Sequence, residues 1–269
     1  MPKPTPPVTV VIPARFGSSR FPGKPLALLA GKPLIQHVYE RALASPGVQR
    51  VLVATDDIRI RKAVTAFGGT VVMPKGRFRT GTDRVAAVAR RTSGNVFVNL
   101  QGDEIALHPG LLADLITPFL KSGAAMGTLK RTLTSSGEVR HPGIVKVVTD
   151  SNGNALYFSR APIPCDREKG LGKFVAGLHY VHLGIYIYTR EALLRLAQLP
   201  TSPLEDAEKL EQLRALEHGI GIRVWETRHQ SLRIDTPNDL KQAESELRRT
   251  ARRPAPGRSA GRTNAEARR

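Results

Sequence analysis

Cysteine is nearly missing from this chain: Cys165 stands alone among 269 residues. A single thiol cannot close an intramolecular disulfide, and no cysteine-plus-histidine spacing of the zinc type occurs, so disulfide scaffolds and zinc modules are excluded. No partner residue for thiolate catalysis is readable either, and Cys165 is expected to be incidental. No apolar run approaches the roughly 20 residues of a membrane span. Residues 1–7 are proline-rich and lack the charged-then-apolar layout of a signal peptide. A cytoplasmic protein with no membrane association is therefore expected. Two nucleotide-binding fingerprints are also missing, the G-x-x-x-x-G-K-[ST] order and the G-x-G-x-x-G order. Internal repeats are absent too.

What is present is enough apolar material, 41% of the chain, to bury a large core. The net charge of +18 first suggests a nucleic-acid partner. Much of it is terminal, because residues 248–269 hold eight arginines against one glutamate. That stretch has almost no large apolar side chain to offset ordering entropy, so a disordered basic tail is expected over 248–269. No aromatic residues interleave its arginines, which makes a dedicated nucleic-acid arm the weaker reading. Residues 1–7 are expected to be disordered as well.

Residues 8–14 form a nearly unbroken β-branched run leading into a loop of Gly, Ser, Pro and basic residues. That layout predicts a buried strand followed by a functional turn. A helix is expected over 33–44, with Pro33 suited to its first turn and Leu34, His37, Val38 and Arg41 at helical spacing. Strands at 50–55, 70–73 and 96–100 then alternate with helices at 58–67 and 83–91. The alternation implies an α/β fold: a three-layer, Rossmann-like, mainly parallel twisted sheet with right-handed crossovers. In such sheets ligands bind beyond the carboxyl ends of the strands. Later in the chain, Ser151-Asn152-Gly153-Asn154 between apolar runs at 144–150 and 155–160 is a hairpin signal. It predicts a small β-hairpin lobe around 140–182 on a single domain spanning 8–247. A strand at 181–188, helices at 191–198 and 204–217, a strand at 222–226 and a helix at 237–247 complete the pattern.

The loop from Arg15 to Pro25 places Arg15, Arg20 and Lys24 among small residues, after a strand and before a helix. Backbone N–H groups in such a loop can wrap a polyphosphate while the cations hold its charge. Asp103 and Glu104 follow the strand at 96–100 directly, and Asp235 follows another short apolar stretch. A hard divalent cation takes one or two carboxylates while phosphate and water fill its other positions, and two separated aspartates suit it. Asp235 before Thr236-Pro237 serves equally well as a helix cap.

The stretch VIPARFGSSRFPGKPL resembles the signature of sugar-activating cytidylyltransferases. RTGTDR, NLQGDE, ALYFSRAPIP, HLGIYIYTR, SPLEDAEKLEQLR and IDTPNDL resemble, in order, the motifs of the 3-deoxy-manno-octulosonate (Kdo) cytidylyltransferase family. The resemblance runs from about residue 8 to 247. It implies the nucleotide-diphospho-sugar transferase type of fold, a homodimer, magnesium as cofactor, and CTP and Kdo as substrates in lipopolysaccharide synthesis. By the same resemblance Arg15, Arg20 and Lys24 match the triphosphate loop, and Asp103 and Asp235 the magnesium ligands. Lys24, Asp103 and Asp235 are accordingly the catalytic candidates. Thr82 and Arg84 match a motif near the nucleotide, while Gln101, Arg160, His182, Tyr186, Glu211 and Gln212 match positions lining the sugar pocket. His182 taken alone reads as a packed strand residue. Three positions depart from the family pattern: Phe78 and Thr80 stand where His and Ser are common, and Ile105 replaces the proline after QGDE. An 8-amino-Kdo or sialic-type acid is the alternative acceptor, because the nucleotide half of the signature is shared.

Overall fold

The computed structural model describes residues 6–17, 21–102, 104, 108–229, 234 and 236–251. The tail from residue 252, the first five residues, and the site candidates Arg20, Asp103 and Asp235 lie outside the described residues.

The chain opens with strand β1 (Val8–Pro13), in which the five residues from Val8 to Ile12 are all buried. A 3-10 turn at Lys24–Leu26 and a two-stranded ribbon, β2 (Leu28–Leu29) and β3 (Lys32–Pro33), lead into helix α1 (Leu34–Leu43). Then follow β4 (Val48–Ala54), α2 (Ile58–Ala66), β5 (Val71–Val72), α3 (Gly81–Ala89) and β6 (Val96–Asn99). Asp57 caps α2 and Thr80 caps α3, each accepting a first-turn backbone N–H through its side chain, which fixes where both helices begin.

The next three elements, α4 (Pro109–Ser122), β7 (Met126–Thr132) and α5 (Ser136–Arg140), are additions to the sequence expectation. The expected hairpin forms as β8 (Lys146–Thr149) and β9 (Ala155–Ser159). It joins the main sheet where Lys146 pairs with Val181 of β10 (Tyr180–Thr189). The chain ends through α6 (Arg190–Leu196), α7 (Pro203–Glu208), α8 (Gln212–Glu217), β11 (Ile222–Glu226) and α9 (Pro237–Ala251). Helix α9 runs four residues into the stretch expected to be tail.

The sheet order is β11-β7-β10-β6-β1-β4-β5. Neighbours along it are parallel except at β10, which runs antiparallel to both β6 and β7. Alternation along each strand divides the apolar side chains between the two faces. Val8, Val10 and Ile12 join α1, α2 and α4 in one core, whereas Val11, Leu52 and Phe97 join α3, α6 and α8 in the other. Three layers result, and the carboxyl ends of β1, β4 and β6 share one edge.

The single helix expected at 204–217 is instead two. Lys209 adopts a left-handed conformation, φ 53°, that ends α7. Leu204 is 40% exposed, while Glu205 is buried in an ion pair with Arg214. Periodicity assigns apolar positions to the core and has no means of seeing a buried charge whose partner lies nine residues on.

Candidate active site

An open cleft of about 190 Å³ lies at the carboxyl ends of β1 and β6. It is lined by Pro13, Ala14 and Arg15 after β1, by Phe78 to Gly81 and Arg84 at the start of α3, and by Gln101 and Glu211. Arg84 is buried and bidentate with Asp56, at 2.9 and 3.0 Å, and its guanidinium also lies over the Phe78 ring at 5.3 Å. The Arg84 guanidinium holds the Asp56 carboxyl below its ordinary range. Phe78 is thus a surface on which a guanidinium rests. Thr80 keeps its hydroxyl in use, accepting the Asp83 N–H at 3.1 Å.

Adjoining this cleft at Glu211 is a small cavity of about 10 Å³, lined by Thr82, Met126, Tyr186, Tyr188, Leu196, Glu211, Gln212 and Arg214. Glu211 borders both cavities. Its Oε2 accepts the Thr82 hydroxyl at 2.7 Å, and the Asn99 amide donates to Thr82 Oγ1 at 3.4 Å. Gln101 Nε2 donates to Asn99 Oδ1 at 3.4 Å. The Tyr188 hydroxyl joins Thr82 and Asn99; burial pushes its pKa far up, with the Glu211 carboxylate adding to the shift, so it stays neutral. Gln212 is 3% exposed, and among the described residues its Nε2 has no hydrogen-bond partner. A buried amide nitrogen facing a cavity is what a bound hydroxyl would satisfy.

Lys24 follows Gly23, whose left-handed φ of 72° starts the 3-10 turn. Its Nζ donates to the Ile234 carbonyl at 2.9 Å, which draws the basic loop against the residue preceding Asp235. Gly102, preceding Asp103, packs so closely that an added Cβ would lie 3.4 Å from the Pro13 carbonyl. The immediate neighbours of both expected metal ligands therefore meet the segment that carries Arg15 and Lys24. Among the described residues no group of three or more His, Cys, Asp or Glu is placed to hold a metal ion.

Of the sequence candidates, the two cavities gather Arg15, Thr82, Arg84, Gln101, Tyr186, Glu211 and Gln212. Lys24, Arg160 and His182 line neither. Arg160 donates through Nε to the Glu208 carbonyl at 2.8 Å and through Nη1 to the Pro142 carbonyl at 3.1 Å. Its own carbonyl accepts from Lys146 Nζ at 2.6 Å. Lys146 is fully buried and donates to two further carbonyls, of His141 and Ile144, while burial lowers its pKa. His182 sits in the core 3.0 Å from the Thr128 hydroxyl, with its ring 5.3 Å from that of Tyr186. Asn99, Tyr188 and Arg214 were absent from the sequence candidates. They stand inside the NLQGDE, HLGIYIYTR and SPLEDAEKLEQLR stretches, and only the register Tyr186↔Asn99 and Tyr188↔Phe97 reveals that Asn99 and Tyr188 are diagonal neighbours across β6 and β10.

Residues 9–226 match the cytidylyltransferase family model. A 3-deoxy-manno-octulosonate cytidylyltransferase of Geobacter sulfurreducens is 49% identical over 248 residues, covering 90% of this chain and 99% of that relative. One of Syntrophotalea carbinolica is 51% identical over 247 residues, covering 90% and 98%. The solved structure of CMP:2-keto-3-deoxy-manno-octonic acid synthetase complexed with CTP aligns with a TM-score of 0.84 at 42% identity, covering 91% of this chain and 99% of that one. A putative glucose-1-phosphate thymidylyltransferase from Bacillus anthracis, 15% identical with a TM-score of 0.61 over 90% of this chain and 95% of its own, shares the fold. The chain belongs to the cytidylyltransferases and, among them, to the 3-deoxy-manno-octulosonate cytidylyltransferase family.

Proposed function

We propose that this chain transfers CMP from CTP to the anomeric hydroxyl of 3-deoxy-D-manno-octulosonate, releasing CMP-Kdo and pyrophosphate. The observation that carries the reading is the cleft at the carboxyl ends of β1 and β6, lined by Arg15, Arg79, Arg84, Gln101 and Glu211, with the buried and unpartnered Gln212 amide nitrogen next to Glu211 in sequence. A nucleoside triphosphate suits the cations of that cleft, and the Gln101, Glu211 and Gln212 side suits a polyhydroxylated acid. In the reaction the anomeric oxygen bonds to the α-phosphorus as the bond from that phosphorus to the β-phosphate oxygen breaks. Negative charge collects on departing pyrophosphate, and Arg15, Arg20 and Lys24 are the groups that would neutralise it. Glu211, held by Thr82, and Gln212 would orient the sugar hydroxyls, and Tyr186 would wall the pocket. Arg160 and His182 are supported as sugar-pocket residues by the family motifs alone.

Asp103 and Asp235 supply the oxygen donors that a hard divalent cation takes, and they would hold magnesium. When bound, that ion supplies Lewis-acid stabilisation of charge on the phosphate oxygens. Among the described residues no helix is long and apolar enough to cross a membrane. A homodimer acting in the cytoplasm for lipopolysaccharide synthesis completes the proposal, and sedimentation analysis tests the assembly.

The deciding experiment measures pyrophosphate release with CTP, UTP and GTP against an array of sugar acids, with and without magnesium. Release is expected only with CTP, fastest with Kdo, and abolished by chelation. Faster turnover of the 8-amino analogue or of a sialic acid would reassign the acceptor. Release with every nucleotide alike would defeat the cytidylyl reading.

A further inference from the structure

Phe16 and Gly23, on the two described sides of the basic loop, are braced by a helix that lines neither cavity. Phe16 is half-buried, and its carbonyl accepts the Gly23 N–H at 2.9 Å. The rim of its ring lies 3.0 Å from where a Cβ of Gly23 would stand, so loop and ring are closed on one another immediately before Lys24. Over the ring lies Arg59 of α2, its guanidinium carbon 3.3 Å from the centroid. Arg59 is aimed there by Asp57, which accepts from Nε at 3.0 Å and from Nη2 at 2.7 Å. The same carboxylate caps α2 through the Arg59 N–H at 2.8 Å, and the Asp57 N–H donates to the hydroxyl of Thr55, a buried residue that follows β4. Hydrogen bonding from Arg59 holds the Asp57 carboxyl at about 2, so the pair remains ionised in any ordinary buffer.

We propose that Arg59 is a positioning residue for nucleotide binding: stacked on Phe16, it fixes the loop in the conformation that presents Arg15 and Lys24 to the triphosphate. The inference rests on the CTP reading given above. A planar guanidinium oriented by a bidentate carboxylate suits stacking on an aromatic face, and a lysine ammonium does not reproduce it. Arg59 borders neither cavity, so its influence passes through Phe16 and Gly23.

The test is initial-rate kinetics of the full chain with Arg59→Ala, Arg59→Lys, Phe16→Leu and the double variant Arg59→Ala with Phe16→Leu. Arg59→Ala and Arg59→Lys are each expected to raise the KM for CTP about two- to five-fold, the factor an exposed cation–π contact carries. The KM for Kdo should stay unchanged. In the Phe16→Leu background the further change of Arg59 to Ala should add nothing, because both substitutions break the same brace. Additive effects would mean that Arg59 acts on the nucleotide directly, and the proposal would fall. It would fall equally if Arg59→Lys behaved as wild type, or if both substrates weakened alike. A wild-type chain that releases no pyrophosphate would sink the cytidylyl reading instead. The brace then stands or falls on tryptic cleavage after Arg15, which must be faster in Arg59→Ala than in the wild type.

Discussion

Glu211 and Gln212 are adjacent in sequence and differ in how their polar atoms are satisfied. Glu211 is held by the Thr82 hydroxyl, whereas the Gln212 amide nitrogen is buried with no partner among the described residues. An unsatisfied buried polar group costs about 1–3 kcal/mol. Gln212→Leu should therefore raise the melting temperature slightly while raising the KM for the sugar acid and leaving that for CTP alone. A lower melting temperature with unchanged kinetics would show that the amide serves the fold. For Lys24→Ala and Asp103→Asn the expectation is a loss of turnover of about 10²–10³-fold, the typical effect of removing one preorganised charge contact, with unfolding curves close to wild type. Wild-type rates in either would remove these residues from the catalytic assignment. The site's cations were legible in the sequence because they crowd one short loop after one strand. Asn99 and Tyr188 were not, since an antiparallel register sets them beside Thr82 and no local pattern encodes that register.

At the scale of elements, the alternation of strands and helices was readable through β6, with boundaries displaced by one or two residues, as at Thr80, whose cap starts α3 two residues before the expected position. The pattern failed where burial is polar. Glu205 and Arg214 form a buried pair between α7 and α8, with Arg214 Nε donating to Glu205 Oε2 at 2.7 Å. Hydrogen bonding to the Glu205 carboxylate raises the Arg214 pKa, so the guanidinium stays charged. Removing one partner strands the other in a poorly solvated site, which typically costs 3–5 kcal/mol. Glu205→Ala should lose about that much stability in denaturant titration. Because Arg214 borders the inner cavity, the KM for the sugar acid should rise in the same variant under native conditions. A loss below about 1 kcal/mol would show that solvent reaches the pair and that the break at Lys209 is held by something else.

At the scale of the whole molecule the question is what the net charge of +18 does. Residues 252–269 hold six arginines and one glutamate, so truncation after Ala251, where α9 ends, removes only five of those charges. Both proposed substrates are anions, and a protein whose remaining surface is strongly basic still attracts them over several ångströms, in a manner that salt screens. The truncated chain is therefore expected to keep its turnover number within about two-fold of the full chain. In both forms kcat/KM for CTP should fall as ionic strength rises, and with closely similar slopes, because the cations lining the cleft, Arg15, Arg79 and Arg84, are untouched. A nucleic-acid-binding protein would behave oppositely: its affinity for duplex or single strands would be salt-dependent and lost with the tail, with no pyrophosphate release to lose. If truncation abolished turnover while the unfolding transition stayed intact, the tail would have to be counted as part of the catalytic unit. A much shallower salt slope after truncation would instead make the tail the source of the attracting field.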